Sequence, residues 1–329
     1  MTRLPDASRR RTLARLAASS LATLVPLAHA KTDSYPTRPI MLVMPFPAGG
    51  ATDSQMRALA LAAGKELGQT IVVMNQPGAA GTLGPASMAR QAHADGYTVS
   101  IVPATLFRMP HLQKVTFNPT TDFSYILNLT GYTNGIVVRA DAPWKTLPEL
   151  LADAKARPGK ISYGSTGIGS GGHIAMERLL RAAGGPELNF VPFKGMAEET
   201  AALLGGHLDV ISDPGWGPLV EGGKARVLAT LGEQRLKRWG QVPTLKELGY
   251  DITVVSPVGL AGPKGMDPAI VQRLHDAFKN AMADATYQRI LEQSDQPNVY
   301  MGSAEYQQYA VAQFAREKQF IDQLGIKLQ

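Results

Sequence analysis

The chain reads as an α/β protein of two lobes, with mainly parallel sheets joined by a two-crossing hinge, and three observations predict it. Short apolar runs rich in Val and Ile alternate with segments of helical period, the pattern of repeated βα units. Three turns built of small residues, PFPAGGATD (45–53), NQPGAAGTLG (75–84) and YGSTGIGSGGH (163–173), each follow a strand-like run and open a helix-like one. The 329 residues also exceed one ordinary core and imply two domains.

The elements follow in order. Residues 1–30 carry Arg9, Arg10, Arg11 and Arg15, then an apolar and small-residue stretch over 16–27, then Ala28-His29-Ala30, the form of a cleaved export signal. The run Ser8-Arg9-Arg10-Arg11-Thr12-Leu13 approaches a twin-arginine signal, so both the Tat and Sec routes stay open. Spans 40–44, 71–74 and 97–102 read as strands. Between them, 54–67 is a helix whose Met56, Leu59, Ala60, Ala63 and Leu67 share one face, and 84–92 is the next. A second series starts near residue 132, with strands at 135–138, 161–163, 190–193, 208–212 and 227–231. Its helices are expected at 147–156, 173–183 and 197–204. The first of these is entered through Thr146-Leu147-Pro148-Glu149, a capping box with Pro in its first turn. Near 253–260 the chain is expected to return to the first lobe, with helices at 268–283 and 304–324 packed there. The predicted domains are 1–30 as export signal, 31–131 plus 256–329 as lobe one, and 132–255 as lobe two.

Charge and composition exclude several classes. Five of the 33 Lys and Arg, against one of the 27 acids, lie in residues 1–30, so the remainder is close to neutral and lacks the clustered basic surface of a nucleic-acid binder. With no Cys there is no disulfide framework, thiolate metal site or lipid-anchored cysteine. The expected product is a periplasmic monomer that needs no cofactor or metal.

The three small-residue turns place backbone N–H groups and positive helix ends at the carboxyl edge of a sheet. An anion can be held there without Arg or Lys. Enzyme motifs fit less well. Gly167, Gly169 and Gly172 spell G-x-G-x-x-G, but the following strand ends in Phe193-Lys194 where a dinucleotide site needs an acid. A P-loop lacks its Lys before Ser170, and Ile168 stands where G-x-S-x-G needs Gly. The histidines show no metal-ligand spacing, and only His173, in the turn after the third loop, is placed to reach a ligand. Glu198 and Glu199 read as a solvated helix face.

The sequence resembles the Bug or TctC-type periplasmic solute-binding proteins, the receptors of tripartite tricarboxylate transporters, over essentially all of residues 31–329. The resemblance rests on Tyr35-Pro36-Thr37-Arg38-Pro39-Ile40, Pro45-Phe46-Pro47-Ala48-Gly49-Gly50 with Asp53, Asn75-Gln76-Pro77-Gly78-Ala79-Ala80-Gly81-Thr82 and Asp95-Gly96-Tyr97-Thr98. It continues in Tyr163-Gly164-Ser165-Thr166-Gly167, Val191-Pro192-Phe193-Lys194-Gly195, Pro243-Thr244-Leu245 and Gly259-Leu260. It implies a type II periplasmic-binding fold closing over a small organic carboxylate, which is then presented to a membrane transporter or sensor. The site implied is a pincer of Pro47, Ala48, Gly49 and Gly50 against Ala79, Ala80 and Gly81, with Ser165, Thr166 and Ser170 from the second lobe. Asp213 falls where members of the family can place a polar side chain on the cleft, suited to an ammonium or hydroxyl of the ligand. Asp53, as a carboxylate, is expected to cap the following helix instead. The chain departs from the family at Val255-Ser256-Pro257-Val258, where the resemblance leads to a Trp before the Gly-Leu pair. Two rival readings are a periplasmic α/β enzyme acting on a small carboxylate and a ligand-sensing relay domain.

Overall fold

The computed structural model describes residues 35–325, so the expected export signal lies outside the described residues. The chain divides into a leading stretch, Met1–Thr37, and one body, Arg38–Gln329, which carries two sheets.

Chain order in the first part is β1 (Ile40–Met44), α1 (Ala51–Leu67), β2 (Ile71–Asn75), a 3₁₀ turn at Ala79–Gly81, α2 (Leu83–Gln91), β3 (Thr98–Pro103), α3 (Thr105–Leu112) and β4 (Phe123–Thr133). The second part contains β5 (Gly135–Arg139), α4 (Leu147–Ala156), β6 (Ser162–Ser165), α5 (Gly171–Ala182), β7 (Asn189–Pro192), α6 (Met196–Leu204), β8 (Val210–Asp213), α7 (Gly217–Glu221) and β9 (Ala225–Thr230). The chain ends with β10 (Val255–Pro263), α8 (Pro268–Ala281), α9 (Ala285–Gln293), β11 (Asn298–Met301) and α10 (Ser303–Leu324).

The first sheet has the order β11-β4-β10-β3-β1-β2 and the second β7-β6-β8-β5-β9. Both are mixed. β1 runs parallel to β2 and β3, whereas β10 is antiparallel to β3 and β4. In the second sheet β6 runs parallel to β7 and β8, and β5 is antiparallel to β8 and β9. Parallel pairing fixes where the loops emerge. The chain leaves β1, β2 and β3 at one edge and leaves β6, β7 and β8 at the corresponding edge of the other sheet, where α/β proteins bind ligands.

Alternation along β5 shows how the second sheet is covered on both faces. Ile136 and Val138 join a core with Leu150, Leu179 and Val210, while Val137 faces Leu203, Ile211 and Trp216 on the other side. The capping box forms as expected: Thr146 Oγ1 accepts from the Glu149 N–H at 3.4 Å, and Glu149 Oε2 accepts from the Lys145 N–H at 2.7 Å. α8 and α9 pack on α1, and α10 packs on α3 and β4.

Only Asn134 separates β4 in the first sheet from β5 in the second. On the return path the Val254 N–H donates to the Leu231 carbonyl at 2.9 Å, and β10 then pairs Ser256 with Tyr132. The two crossings therefore run side by side.

Candidate functional site

A cavity of about 120 Å³ lies where the loop edges of the two sheets face each other. A cavity of this order holds a molecule about the size of benzene. Among its described lining residues there is no Lys, Arg or His.

Four helix starts converge on it. The first sheet contributes Gly50 to Asp53, at the start of α1, and Ala104 and Thr105, at the start of α3. The second contributes Ser170 and Gly171 from α5, and Gly195 to Glu198 from α6. The first N–H groups of a helix have no acceptor within it, and the helix dipole adds a partial positive charge there. The α1 start is capped by no side chain: Gly50, at φ −78° and ψ 168°, is its N-cap. Phe46, Pro103, Tyr132, Asn134, Pro214 and Ser256 also line it.

The first loop is held from behind by Asp53. Its Oδ2 accepts from the Gly49 N–H at 3.1 Å and from Arg57 Nε at 2.9 Å, and its Oδ1 accepts from Asn75 Nδ2 at 2.8 Å. Burial raises the Asp53 pKa, but the hydrogen bonds from Arg57, Asn75 and Gly49 outweigh it and hold the carboxyl below its ordinary value. Asp53 lies in the first turn of α1 and reaches back to Gly49, so it closes the loop onto the helix rather than serving as N-cap. The second loop is strained. Ala79 and Ala80 adopt φ of 48° and 51°, left-handed values that cost non-glycine residues on the order of 1–3 kcal/mol and that cluster at ligand clamps. Thr105 Oγ1 donates to the Ala80 carbonyl at 2.7 Å and holds it there.

The third loop is fixed by a side chain of the first lobe. Arg108 on α3 makes a two-pronged pair with Glu317 on α10, Nε to Oε2 at 2.6 Å and Nη2 to Oε1 at 2.7 Å, and its Nη1 donates to the Gly169 carbonyl at 2.7 Å. Both partners are buried. Ser170 caps α5 by accepting from the His173 N–H at 3.3 Å, and its hydroxyl is hydrogen-bonded to that of Ser165.

Asp213, at the end of β8, is 2 % exposed and borders the cavity. It accepts from the Thr166 N–H and, at 3.3 Å, from the Ser165 hydroxyl. A second buried carboxyl, that of Glu199 on α6, neighbours it from outside the cavity lining. Burial pushes Asp213 up to about 6 against these donors and drives Glu199 well above its ordinary value. Two carboxyls in contact cannot both ionise cheaply, so they share a proton.

Of the residues singled out in the sequence, Pro47, Ala48, Gly50, Ala80, Thr166, Ser170 and Asp213 line the cavity. Gly49, Ala79, Gly81 and Ser165 are not among its lining residues. Gly81, at φ 85°, packs against the backs of Phe46 and Pro103, which a Cβ would approach to 3.0 and 3.2 Å. His173 departs from its expected role. Its Nδ1 accepts from the Gly169 N–H at 3.1 Å, its ring packs tilted against Phe190 with centroids 4.2 Å apart, and burial lowers its pKa. It braces the loop as a neutral base turned away from the cavity. Glu199 is a second correction, since it is 1 % exposed where a solvated face was expected.

The walls touch across the cleft: a Cβ on Gly195 would lie 3.2 Å from Pro47, and one on Gly167 would lie 3.2 Å from Ala80. The two lobes are therefore closed over the cavity.

Comparison with known proteins gives this geometry its context. The sequence pattern of the "Tripartite tricarboxylate transporter family receptor" matches residues 55–326. A Cupriavidus necator protein, the "UPF0065 protein in gbd 5'region", is 47% identical over 300 residues, 91% of each chain. The solved periplasmic binding protein BugD superposes with a TM-score of 0.84 at 30% identity, covering 90% of this chain and all of that one. An R. palustris protein solved with adipate superposes with a TM-score of 0.82 at 27% identity, covering 89% of this chain and 99% of its own. With a two-lobed α/β fold closed over a cavity ringed by helix starts, and a family pattern running from the first helix to the last, the chain belongs to the tripartite tricarboxylate transporter receptor family of solute-binding proteins.

Proposed function

We propose that the protein captures a small organic carboxylate in the periplasm, closes over it, and presents it to a tripartite tricarboxylate-type transporter. The observation that carries the reading is the convergence of four helix starts on a cavity with no cationic side chain among its described lining residues. A carboxylate is the ligand such a wall suits, because amides and dipoles supply the positive potential and the small residues let the backbone approach. Charge-assisted hydrogen bonds contribute about 1.5–3 kcal/mol each, so four or five offset several kcal/mol of association cost and leave micromolar affinity. The adipate found in the R. palustris relative supports the same ligand chemistry.

The side-by-side crossings at Asn134 and at Val254–Val255 are the hinge in this reading, with β1–β4 and β10–β11 on one side and β5–β9 on the other, within a residue or two of the expected bounds 31–131, 132–255 and 256–329. A binding role is favoured over catalysis by the placement of His173, whose Nδ1 is occupied by an amide and which does not border the cavity. The test is calorimetric titration of residues 31–329, stripped of carried ligand by unfolding and refolding, with mono-, di- and tricarboxylates and acidic amino acids. One-to-one micromolar binding with recovery of unchanged ligand is expected. Turnover of the ligand, or silence from folded protein across the panel, defeats the reading.

A further inference from the structure

Two arginines of the second lobe reach the first at the ends of its helices. α9 and α10 belong to the first lobe, packed on α1 and on β4, and neither carries a basic residue in its own last turn. The last carbonyls of a helix have no donor within it and carry a partial negative charge, which a cation placed there offsets. α1, α2, α4, α5 and α8 each hold a Lys or Arg in the last turn. For α9 and α10 the cation comes from the other lobe. Arg238 Nη1 donates to the Glu292 carbonyl, one residue before the end of α9, and Arg181 Nη1 donates to the Gln323 carbonyl, one residue before the end of α10.

Both arginines are held in place. Arg238 follows β9 and precedes Trp239, which packs in a second-lobe core with Trp216 and Val137. Its Nη1 also donates to Asp295 Oδ1 at 3.1 Å, a first-lobe carboxylate only 3 % exposed, and its Nη2 donates to Glu221 at the end of α7. Asp295 follows α9 in the left-handed region, at φ 53°, and Gly217 at the start of α7 lies so close that a Cβ there would collide with its carboxylate. At the other seam Arg178, one turn before Arg181 on α5, sets its guanidinium 4.7 Å from the Phe320 ring of α10, a cation–π contact across the lobes. Neither Arg181 nor Arg238 lines the cavity.

We infer that Arg181 and Arg238 are positioning residues for capture: each caps, from the second lobe, the C-terminus of a first-lobe helix, and the two ties hold the lobes closed over the cavity. This deepens the capture reading and rests on it at one point, that closure is what retains the ligand. Where only the closed form binds, the apparent affinity is the intrinsic affinity scaled by the closed fraction. A residue that touches no ligand then sets affinity by setting that fraction. The attraction of an exposed or part-exposed guanidinium to a helix end is screened by salt, so the closed fraction should fall as ionic strength rises.

The chain holds no Cys, so Lys65→Cys on α1 and Ala156→Cys on α4, both exposed, put one spin label on each lobe. Label distances are measured by pulsed electron paramagnetic resonance, first without ligand and then with adipate, at about 50 and about 500 mM salt. Arg181→Ala and Arg238→Ala are each expected to raise the open-to-closed ratio by roughly two- to thirtyfold, the range of one cation at a helix end, and the double variant by the product. Salt should open the wild type and leave the double variant unmoved. Arg235→Ala is the control: it removes the same charge, but Glu247 and the Gly240 carbonyl, its partners, lie in its own lobe, so the distances should not change. Arg238→Ala strips the cation from buried Asp295. Should it unfold, Arg238→Ala combined with Asp295→Asn, a residue that also tolerates the left-handed backbone, reports in its place. A merely structural role would lower the urea midpoint and leave the label distances as they are. Wild-type distances in the folded double variant at both salt concentrations overturn the inference. Opened lobes in that variant, with adipate silent throughout, uphold the ties and count against carboxylate capture alone.

Discussion

Asp53 and Asp213 border the same cavity, one on each wall, at 4 % and 2 % exposure. Asp53 is given Arg57, Asn75 and an amide, and stays ionised below its ordinary pKa. Asp213 has no cation beside it, and burial pushes it up to about 6 against the hydrogen bonds of its neighbours. Burial alone thus says little about a carboxyl; the neighbours decide whether it is a fixed strut or a titrating contact. In this protein the strut shapes the loop of the first wall and the titrating group faces the cavity from the second.

The comparison breaks most visibly at the residue joining the two walls. Arg108→Ala leaves Glu317 buried without its cation and frees the Gly169 carbonyl. A loss of about 3–5 kcal/mol in urea unfolding is expected. A loss under 1 kcal/mol would mean that the third loop holds its shape unaided. Next comes Asp53→Asn, expected to cost about 1–3 kcal/mol at pH 7 through the Gly49 N–H and the Arg57 and Asn75 contacts. The half-exposed Arg57 makes the ion pair itself the minor part. Asp213→Asn, by contrast, removes a carboxyl from a crowded pair and should cost less at the same pH. If the two substitutions cost the same, the contrast between the walls is electrostatically empty.

Opposite pKa shifts give opposite pH slopes. Asp53 is lowered from 3.8, so its stabilising contribution is complete above that value and lost as pH falls through its folded pKa. Asp213 and Glu199 are raised from 3.8 and 4.5, so their contribution is complete below those values. It is lost as pH rises through about 6 for Asp213 and through the raised pKa of Glu199. Relative to Glu199→Gln, the wild type should therefore lose stability from pH 5 to pH 8, seen as a falling difference in urea midpoints. Relative to Asp53→Asn, it should lose stability below pH 4. Parallel profiles for Glu199→Gln and wild type would exclude a shared proton.

Much of this site was legible because its first-wall signals are local. A Gly-Gly pair between an apolar strand and a helical period announces a loop and a helix start together, and Gly50 and Ala80 stand where that signal put them. The start of α3 was not legible. Its Thr105–Leu112 span carries Pro110, which punctuates the helical pattern, although Leu106, Phe107, Met109 and Leu112 are all buried. β4 was hidden in a similar way by Asn128, Thr130 and Gly131 within an apolar run. The reading of Glu198 and Glu199 as one solvated pair overlooked helix geometry: adjacent residues point about 100° apart. One of them can face solvent while the other faces β8. No local pattern marks Asn134 or Ser256, because the two crossings between the sheets are distant in sequence. Tyr132 and Ser256 meet only through strand register.

The smallest expected effect tests whether the uncapped start of α1 is kept open for ligand. Gly50 has the extended backbone of an N-cap and room for a side chain, with only the Pro47 carbonyl, at 4.0 Å, near an added Cβ. Serine is a better N-cap than glycine by a few tenths of a kcal/mol, through a hydroxyl that accepts from an amide in the first turn. Gly50→Ser should therefore raise Tm by about 1 °C. The same hydroxyl would occupy an amide that the carboxylate needs, so affinity should fall by about tenfold, the equivalent of one lost hydrogen bond. Stability and binding moving in opposite directions at a residue without strain is the signature of an N-terminus left vacant for function. If the variant binds as tightly as the wild type, the carboxylate does not sit on α1, and the burden of holding it passes to the starts of α3 and α6.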